Sequence, residues 1–497
     1  MPSEHLDVLI VGAGLSGIGA ACHLRRDCPG KRFAVLEARG ATGGTWDLFR
    51  YPGIRSDSDM FTLGYRFRPW RGPKAIADGA TILDYVRETA REHDVERQIR
   101  LHHRVTRAAW SSEDARWTVD VERADSGEAF QITCDFLFGC TGYYRYDEGY
   151  TPQFPGTERF AGKIVHPQHW PDALDYDGKR VVVIGSGATA VTLVPAMAER
   201  AAHVTMLQRS PTYIVSLPAH DPLAHAVHRV LPPRAAYAVV RWKNVLLTTL
   251  SYRLSRRAPN LMRKLIRRGV ERRLPEGYDV ATHFTPRYDP WDQRMCLVPA
   301  GDLFEAIARG DASVVTDGIE TFTERGLRLA SGAELEADVI VTATGLNMLV
   351  LGGMTLSVDG RDVDLADTVG YKGIMFSGVP NLALTLGYTN ASWTLKGDLA
   401  AEYVCRLLNH MDARGYRVCT PRRPDPSLPT SPMVDLTSGY VQRSLDALPK
   451  QGAKRPWRLH QNYARDIVLL RYGPLEDEGV AFSGAGAPAA VEQPVAV

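Results

Sequence analysis

Two glycine-rich loops each stand between a predicted buried strand and a predicted helix, which is the arrangement that binds a dinucleotide. The loops read Gly12-Ala-Gly14-Leu-Ser-Gly17 and Gly185-Ser-Gly187-Ala-Thr-Ala190. The first glycine of such a loop permits a tight turn, the second lets the backbone approach a pyrophosphate, and the third position lets helix and strand pack closely. The N-terminus of the following helix then offers N–H donors and a positive dipole to the phosphates.

The residue after the second strand differs between the two predicted units. Glu37 follows the first unit's second strand and can accept hydrogen bonds from ribose hydroxyls, which predicts FAD there. In the second unit this position is Arg209, followed by Ser210, and a guanidinium can pair bidentately with a 2′-phosphate. We therefore predict that Arg209 and Ser210 contribute to an NADPH site, the alternative being that Arg209 is an ordinary surface arginine. Two such sites imply hydride passing from nicotinamide to flavin.

The cysteines argue against a disulfide reductase, which also contains two nucleotide loops. No C-x-x-C or C-x-x-x-x-C occurs, and Cys22 and Cys28 are separated by five residues. The flavin must therefore pass its electrons to another acceptor, and oxygen is the obvious one. No zinc-ligand spacing occurs either, so we expect no metal. We expect all seven cysteines to be small buried apolar residues in a reducing compartment.

A third motif, F-x-G-x-x-x-H-x-x-x-W-P, lies just before the second loop. Its named positions are Phe160, Gly162, His166, Trp170 and Pro171. The motif resembles the linker fingerprint of Baeyer–Villiger monooxygenases, the class B branch of the flavin-containing monooxygenases. The general version ends in a different aromatic residue, so Trp170-Pro171 favours the Baeyer–Villiger branch. The resemblance covers nearly the whole chain and includes residues 43–60, 288–294 and 387–396.

The resemblance implies a reduced flavin that reacts with oxygen to give a C4a-peroxide, which attacks a ketone carbonyl while deprotonated. A fixed cation in a dry pocket favours that anion and the negative charge of the tetrahedral adduct. By resemblance the cation is Arg294 and the carboxylate that orients it is Asp57, which also belongs to the flavin site. Three alternatives remain. Arg294 could instead form a domain-interface ion pair, and Asp57 could instead cap the turn beside Pro52-Gly53. The orienting acid could also be Asp59, which lies in the same loop as Asp57.

The resemblance also assigns roles outside the reacting centre. It implies that Gly43, Gly44, Thr45 and Trp46 line the flavin ring. Within the linker, Gly162 is expected to allow a tight bend, and the His166 and Trp170 rings to pin the linker against both nucleotide domains, coupling domain rotation to nicotinamide binding. An ordinary core histidine is the alternative for His166.

The chain departs from the family pattern beside Arg294. Many Baeyer–Villiger enzymes place a lysine immediately before the catalytic arginine, whereas this chain has Gln293. The preference for NADPH therefore depends more heavily on Arg209. Trp393 could line the substrate pocket, but we favour packing near the flavin domain.

These residues need two nucleotide-binding units to hold them. The chain has 497 residues, 44% hydrophobic and 23% charged, which is ordinary for a soluble enzyme of two or three domains. We predict an α/β fold with two Rossmann-like domains and a helical insertion. The FAD domain is assigned to residues 1–145 and 345–497, the NADPH domain to 150–215 and 286–344, the insertion to 216–285, and a disordered tail to 483–497.

Charge is concentrated in the insertion. Residues 229–273 contain thirteen Lys or Arg and one acid, so this zone carries +12 and the rest of the chain −10. The zone is either a solvated helical surface balanced by acids elsewhere, or a peripheral contact with anionic lipid. We favour the first, because the apolar faces of these helices can pack inside the enzyme.

No run of about 20 apolar residues occurs, so no transmembrane span is expected. Residues 1–7 are acidic and lead into a strand, which predicts no signal peptide and a cytoplasmic location.

The combined prediction is an FAD- and NADPH-dependent monooxygenase. It would insert one oxygen atom from O2 into ketones, giving esters or lactones, with sulfide or thioamide S-oxidation as a side activity. The alternative is a flavin-containing monooxygenase acting mainly on sulfur or nitrogen compounds. A redox sensor or membrane-docked binding protein that keeps flavin is a third hypothesis, against which Arg294 and Asp57 argue. No nucleic-acid partner is expected.

Overall fold

The computed structural model describes residues 4–423, 425 and 427–484. Apart from Ser483 and Gly484, the predicted tail lies outside them. The α-helices within this part of the chain are α1 Leu15–Asp27, α2 Thr45–Leu48, α3 Met60–Leu63, α4 Gly79–Glu92, α5 Ala188–Ala198, α6 Pro222–Val230, α7 Pro233–Arg257, α8 Pro259–Glu271, α9 Val280–Phe284, α10 Asp302–Arg309, α11 Trp393–Arg414, α12 Gly439–Gln442 and α13 Tyr463–Asp466.

The strands are short and numerous. In chain order they are β1 Glu4–Val11, β2 Phe33–Leu36, β3 Ile99–Arg100, β4 His103–Ser111, β5 Arg116–Arg123, β6 Ala129–Gly139, β7 Tyr144–Gly149, β8 Lys163–Val165, β9 Arg180–Ile184, β10 His203–Gln208, β11 Ile214–Leu217, β12 Cys296–Pro299, β13 Ala312–Thr316, β14 Ile319–Thr323, β15 Gly326–Leu329, β16 Glu334–Glu336, β17 Val339–Thr342, β18 Leu346–Met348, β19 Thr355–Val358, β20 Arg361–Val363, β21 Gly370–Tyr371, β22 Met375–Phe376, β23 Leu382–Leu384, β24 Val418–Pro421, β25 Thr430–Pro432, β26 Lys450–Gly452 and β27 Val480–Ser483.

The first large sheet has nine strands in the order β20-β19-β4-β5-β6-β1-β2-β3, with β23 beside β6. Strands β6, β1, β2 and β3 are parallel, and β4, β5 and β6 form an antiparallel meander. Val8, Leu9 and Ile10 of β1 are fully buried, because helices or strands cover both faces of a central parallel strand. Helices α1 and α11 pack against each other beside this sheet.

The second sheet has five parallel strands in the order β13-β10-β9-β17-β8, with α5 following β9. Together the two sheets confirm the predicted α/β fold class with two nucleotide-binding units. Strands of the first sheet come from residues 4–139 and 355–384, and those of the second from 163–208 and 312–342. This distribution supports the proposed division into FAD and NADPH domains, whose boundaries stay a prediction.

Two antiparallel strands, β7 and β18, connect the sheets. The chain leaves the first sheet through β7 and returns from the second through β18, and the two strands pair with each other. Both crossings therefore lie side by side in one narrow ribbon, which is the geometry of a hinge.

The insertion lies between β11 and β12 in the chain. It consists of α6 to α9 and contributes no strand to either large sheet. Helix α7 is the longest, with 25 residues. None of the helices in residues 4–484 that the structure describes is long and apolar enough to cross a membrane.

Candidate active site

The first glycine loop connects β1 to α1 and leaves no room for larger residues at its first and third glycines. Gly12 has a φ of +104°, and a Cβ there would lie 2.6 Å from the Cys140 carbonyl oxygen. A Cβ at Gly17 would lie 1.8 Å from the Gly12 carbonyl oxygen. Gly14 is the N-cap of α1, so the free N–H groups of the first turn face the loop. This geometry suits a pyrophosphate and supports FAD binding by Gly12, Gly14 and Gly17.

Glu37 is buried directly after β2 and is hydrogen-bonded to this loop. Its carboxylate accepts hydrogen bonds from the backbone N–H groups of Ala13, at 2.8 Å, and Arg39, at 3.0 Å. Burial raises the pKa of Glu37, while these two donors favour the ionised form. A carboxylate has about four acceptor positions, so two remain for ribose hydroxyls.

Residues 43–46 lie directly against the first loop. A Cβ at Gly44 would lie 3.1 Å from the Cα of Gly14, so the two glycine backbones are in close contact. The Thr45 hydroxyl lies 3.1 Å from the Tyr146 hydroxyl, and Trp46 is partly buried against the core of the first sheet. Gly44 and Thr45 therefore lie where a cofactor on the loop would extend, whereas the contacts of Trp46 are those of a packing residue.

The second glycine loop follows the same plan with one difference. Gly185 has a φ of +137°, and a Cβ there would lie 2.3 Å from the Ala343 carbonyl oxygen. Ala190 is fully buried, as expected for the third position of the motif. A Cβ at Gly187 would meet no atom within 4 Å, so the space in front of the α5 N-terminus is open.

Arg209 extends from the end of β10 and is exposed. Within the described residues its guanidinium makes no hydrogen bond or ion pair that would occupy it. The neighbouring Ser210 carbonyl accepts a hydrogen bond from the Ser186 hydroxyl at 3.1 Å, which ties this strand end to the loop. A free guanidinium beside the loop is what a 2′-phosphate site needs.

Arg294 and Asp57 form the ion pair that the resemblance implied. The Arg294 Nη2 atom lies 2.8 Å from the Asp57 Oδ2 atom, and the side chains are 33% and 32% exposed. The Asp57 carboxylate raises the pKa of the Arg294 guanidinium above its usual range, so Arg294 is a permanent cation. The two residues are 237 positions apart, and the pair combines a loop of the first unit with the segment before β12.

Both side chains line a cavity of about 980 Å³. Its wall includes side chains from the segments 57–62, 243–273, 294–297 and 389–395, so the insertion forms one side of it. Apolar side chains from this side include Leu247, Leu265 and Ile266. The cavity therefore offers an apolar volume with a fixed charge pair at one end.

Asp59, the competing acid of the same loop, already has other partners. It is the N-cap of α3 and accepts hydrogen bonds from the Thr62 N–H at 3.0 Å and the Thr62 hydroxyl at 2.7 Å. Its Oδ1 atom also accepts from the Asn244 amide at 2.7 Å. Of these two acids, Asp57 is therefore the one that pairs with Arg294.

The loop that precedes Arg294 is held by the insertion, which sequence reasoning missed. Arg256 of α7 pairs with Asp292, and Arg263 of α8 pairs with Asp289. Between these anchors Trp291 adopts a φ of +73°, a conformation that a bulky residue keeps only when its surroundings impose it. The thirteen basic residues of the zone gave no signal of which would pair with Asp289 or Asp292.

Aromatic residues from distant segments surround Arg294 on its other side. Tyr143, Trp393 and Tyr440 line a second, small cavity together with Arg294. Tyr143 stacks on Trp393 with ring centroids 5.1 Å apart, and the Trp393 indole N–H donates to the Ser16 hydroxyl at 2.7 Å. Trp393 therefore packs against the first unit, as favoured, and also lines this smaller cavity. Burial raises the pKa of Tyr440, which keeps its hydroxyl neutral.

The linker motif is part of the second sheet and of the hinge. Its residues 163–165 form the edge strand β8. The His166 Nδ1 atom accepts from the Gln168 N–H, and Nε2 lies 3.3 Å from the Gly345 carbonyl oxygen, which assigns the proton to Nε2. A Cβ at Gly149 would lie 2.0 Å from the His166 ring. His166 thus touches the ends of both ribbon strands.

The other motif residues have packing roles. Phe160 is buried beside Phe322, Trp170 packs against the core of the second sheet, and Pro171 is exposed. The expected bend at Gly162 is present directly before β8, although its φ is not positive. A Cβ there would instead lie 2.4 Å from the Asp338 carbonyl oxygen, so glycine is required for close approach.

The packing expected for the basic zone is confirmed only in part, because one face of α7 and one face of α8 are buried, as at Val240 and Ile266. Large apolar residues of α6, α7 and α8 are exposed, and most of the excess cations have no acidic partner among the described residues. All seven cysteines are buried and free, as predicted. The described residues contain no cluster of three His, Cys, Asp or Glu that could hold a metal ion.

Comparisons with known proteins agree with this geometry. The model of the flavin-binding monooxygenase-like family matches residues 73–349, and that of the NAD(P)-binding Rossmann-like domain matches residues 10–73. The chain is 58% identical over 490 residues to the FAD-containing monooxygenase EthA of Mycobacterium tuberculosis, which covers 98% of this chain and 100% of that protein.

Solved structures show the same fold. One neighbour is an OTEMO complex with FAD and NADP, which is 25% identical with a TM-score of 0.70 and covers 84% of this chain and 88% of that one. Another is the open structure of cyclohexanone monooxygenase, with a TM-score of 0.76, 19% identity, and coverage of 97% and 100%. The second likeness concerns the fold alone.

Proposed function

Because the chain belongs to the flavin-binding monooxygenase-like family and is an NADPH-dependent flavin monooxygenase, we propose that its main activity is Baeyer–Villiger oxidation of ketones. One ketone, one O2, one NADPH and one proton would give one ester or lactone, one NADP+ and one water. The carbon–carbon bond beside the carbonyl breaks as a new carbon–oxygen bond forms. The observation that carries the proposal is the Arg294–Asp57 ion pair at the end of the apolar cavity.

The residues of the first unit fit FAD. The α1 N-terminus can hold the pyrophosphate, Glu37 the ribose, and Gly44 leaves the close approach that a flat ring needs. When bound and reduced by NADPH, the flavin supplies the activated oxygen. Everything else in the reaction depends on how the protein places the ketone and stabilises charge.

Arg294 can stabilise the charge that develops on the ketone oxygen. Asp57 holds its guanidinium in place on one edge, which leaves other N–H donors to point into the cavity. A pre-positioned cation acts most strongly where water is excluded, and the buried side chains of Ile266 and Val270 contribute to such a wall. The ion pair therefore favours attack on a carbonyl carbon over release of hydrogen peroxide.

NADPH is assigned to the second loop. The open space before α5 can admit its pyrophosphate, and the free Arg209 guanidinium can pair with its 2′-phosphate. His166 contacts both strands of the ribbon between the units, so it can transmit a rotation when the nicotinamide binds.

The test measures NADPH consumption and products with linear ketones of increasing length. We expect esters, with Arg294→Ala still reduced by NADPH yet producing at least roughly a hundred-fold less ester. The matched control is Arg287→Ala, an exposed arginine of the same segment, which should retain wild-type product yield. Sulfoxide and hydrogen peroxide as the sole products across the ketone panel would contradict the proposal and favour the sulfur- or nitrogen-oxidising alternative.

A further inference from the structure

Helix α7 presents an apolar stripe to solvent. The stripe residues follow each other at intervals of three, four and four, which places them on one helix face. They are Val239 (46% exposed), Trp242 (43%), Leu246 (60%) and Leu250 (64%). Four large apolar side chains on one exposed face are unusual for a surface that only meets water.

The opposite face of α7 fixes this orientation. Tyr237, Val240 and Val245 are buried in the core of the first unit. The buried Arg241 guanidinium donates to the Phe61 carbonyl at 2.8 Å and the Gly64 carbonyl at 2.7 Å. These contacts prevent a simple rotation that would bury the stripe, so its exposure is a built-in property of the helix.

Neighbouring elements extend the apolar surface. Further exposed side chains lie on α6 and α8 and at the inner edge of α7. They are Leu223, Val230, Leu247, Leu261 and Leu265. We call the exposed side of α6, α7 and α8 (residues 222–271), with the adjoining Arg272 and Arg273, the insertion face.

The same face carries unneutralised positive charge. Four of its cations pair with acids: Lys243, Arg256, Arg263 and Arg267. A second group is exposed and has no carboxylate partner among the described residues, and it consists of Arg229, Arg234, Arg253, Arg257, Lys264, Arg268, Arg272 and Arg273. A partner for this face must therefore provide both apolar volume and negative charge.

We propose that the insertion face docks on an anionic lipid bilayer. The hydrocarbon region would accept the α7 stripe, and the acidic headgroups would pair with the surrounding cations. A second copy of the same face fits poorly, because a symmetric contact would bring the two sets of unpaired cations together.

Docking would also place the cavity entrance at the lipid. Leu247 and Leu265 are exposed on the insertion face and at the same time line the 980 Å³ cavity. A lipophilic substrate could then pass from the bilayer to Arg294 without crossing water. This second step rests on the proposed function, whereas docking itself does not.

The test uses the full-length FAD-loaded enzyme and vesicles of phosphatidylcholine, with or without phosphatidylglycerol. Cosedimentation should occur with the anionic vesicles, weaken in high salt, and be absent with phosphatidylcholine alone. Leu246→Ser/Leu250→Ser and Arg229→Ser/Arg268→Ser/Arg272→Ser should each reduce binding by roughly tenfold or more. None of these five side chains lines the cavity, so flavin content and turnover of a short soluble ketone should stay unchanged.

The control Arg91→Ser/Arg104→Ser/Arg414→Ser removes the same charge from exposed positions outside the insertion and should bind like wild type. Unchanged binding by both insertion variants would overturn the proposal. So would a wild-type dimer that the leucine variant converts to monomer, because the face would then belong to a second copy. Sedimentation needs no turnover, so it decides docking even if no ketone is oxidised.

Discussion

The two nucleotide loops have the same backbone geometry but differ in how much open space surrounds them. In each, the N–H of the first glycine donates to a backbone carbonyl near the end of the next strand: Gly12 to Leu36 at 2.7 Å, and Gly185 to Leu207 at 2.8 Å. The second glycines, Gly14 and Gly187, have nearly the same backbone angles. The difference between the sites therefore comes from their surroundings and not from the loops.

Those surroundings are closed in the first site and open in the second. Gly14 touches Gly44, and Glu37 is buried with two hydrogen bonds, whereas Gly187 faces empty space and Arg209 is exposed and free. A closed site suits a cofactor that stays bound, and an open one suits a cosubstrate that must leave after each turnover. Similar glycine loops can therefore serve retention of a cofactor in one place and exchange of a cosubstrate in another.

The largest expected effect is loss of the closed site by Gly17→Ala. The new Cβ would lie 1.8 Å from the Gly12 carbonyl oxygen, and backbone cannot move aside as a flexible side chain can. We expect the purified protein to contain less than about a tenth of the wild-type FAD, measured by flavin absorbance per protein. Gly30→Ala, where a Cβ meets no atom within 4 Å, is the control. Full FAD content in Gly17→Ala would show that this site is not closed.

The open site depends on charge, so Arg209→Ala is the next test. Loss of a charge-assisted hydrogen bond to the 2′-phosphate costs about 1.5–3 kcal/mol, or roughly ten- to a hundred-fold in the KM for NADPH. The KM for NADH and the FAD content should not change. Arg200→Ala removes another exposed cation of the same unit and serves as the control. An unchanged ratio of NADPH to NADH efficiency would remove Arg209 from the cofactor site.

Local patterns predicted both loops, because the turn, the helix N-terminus and the acid or arginine lie within one short unit. The Arg294–Asp57 pair is different, since the two residues are 237 positions apart and only the family resemblance connected them. The anchors of the Arg294 loop to α7 and α8 could not be predicted, because many cations and several acids offered equivalent pairings.

In the insertion, the spacing of apolar residues predicts only part of what the structure shows. It predicts that α7 is amphipathic, but which face finds a partner depends on the tertiary structure. Arg241 occupies the buried face while Leu246 and Leu250 are exposed, which reverses the usual preference of these residue types. Gly162 shows the same limit, since the steric need for glycine comes from Asp338, which is distant in sequence.

A smaller effect is expected at His166, which lies on the ribbon between the two sites. Burial lowers the pKa of His166 below the value of about 6.5 in the unfolded chain, so its contribution to stability is complete above that pH. As the pH falls below 6.5, the unfolded chain takes up the proton first and the protein loses stability. His166→Gln should lower stability by about 1 kcal/mol at pH 7.5 through lost hydrogen bonds, yet flatten the acid side of the Tm profile between pH 5 and 6.5. Parallel wild-type and variant profiles would contradict this, with His225→Gln, an exposed histidine, as the control.

The smallest and sharpest test substitutes the second glycine of each loop. Gly14→Ala and Gly187→Ala both place a Cβ at allowed backbone angles and without a clash, since the nearest atom at Gly14 is 3.5 Å away. The fold should therefore tolerate both changes, with unfolding free energies within about 1 kcal/mol of wild type. Because the second glycine of such a loop lets the backbone approach a pyrophosphate, we expect each added Cβ to displace it and weaken the N–H contacts by about 0.6 kcal/mol, or roughly threefold. In Gly14→Ala this loss should appear as faster FAD dissociation and an unchanged KM for NADPH. In Gly187→Ala it should appear as a raised KM for NADPH with full FAD content. NADPH must bind again in every turnover, so a loss of affinity changes its KM. If both variants changed the same parameter, the two loops would not divide retention and exchange between them.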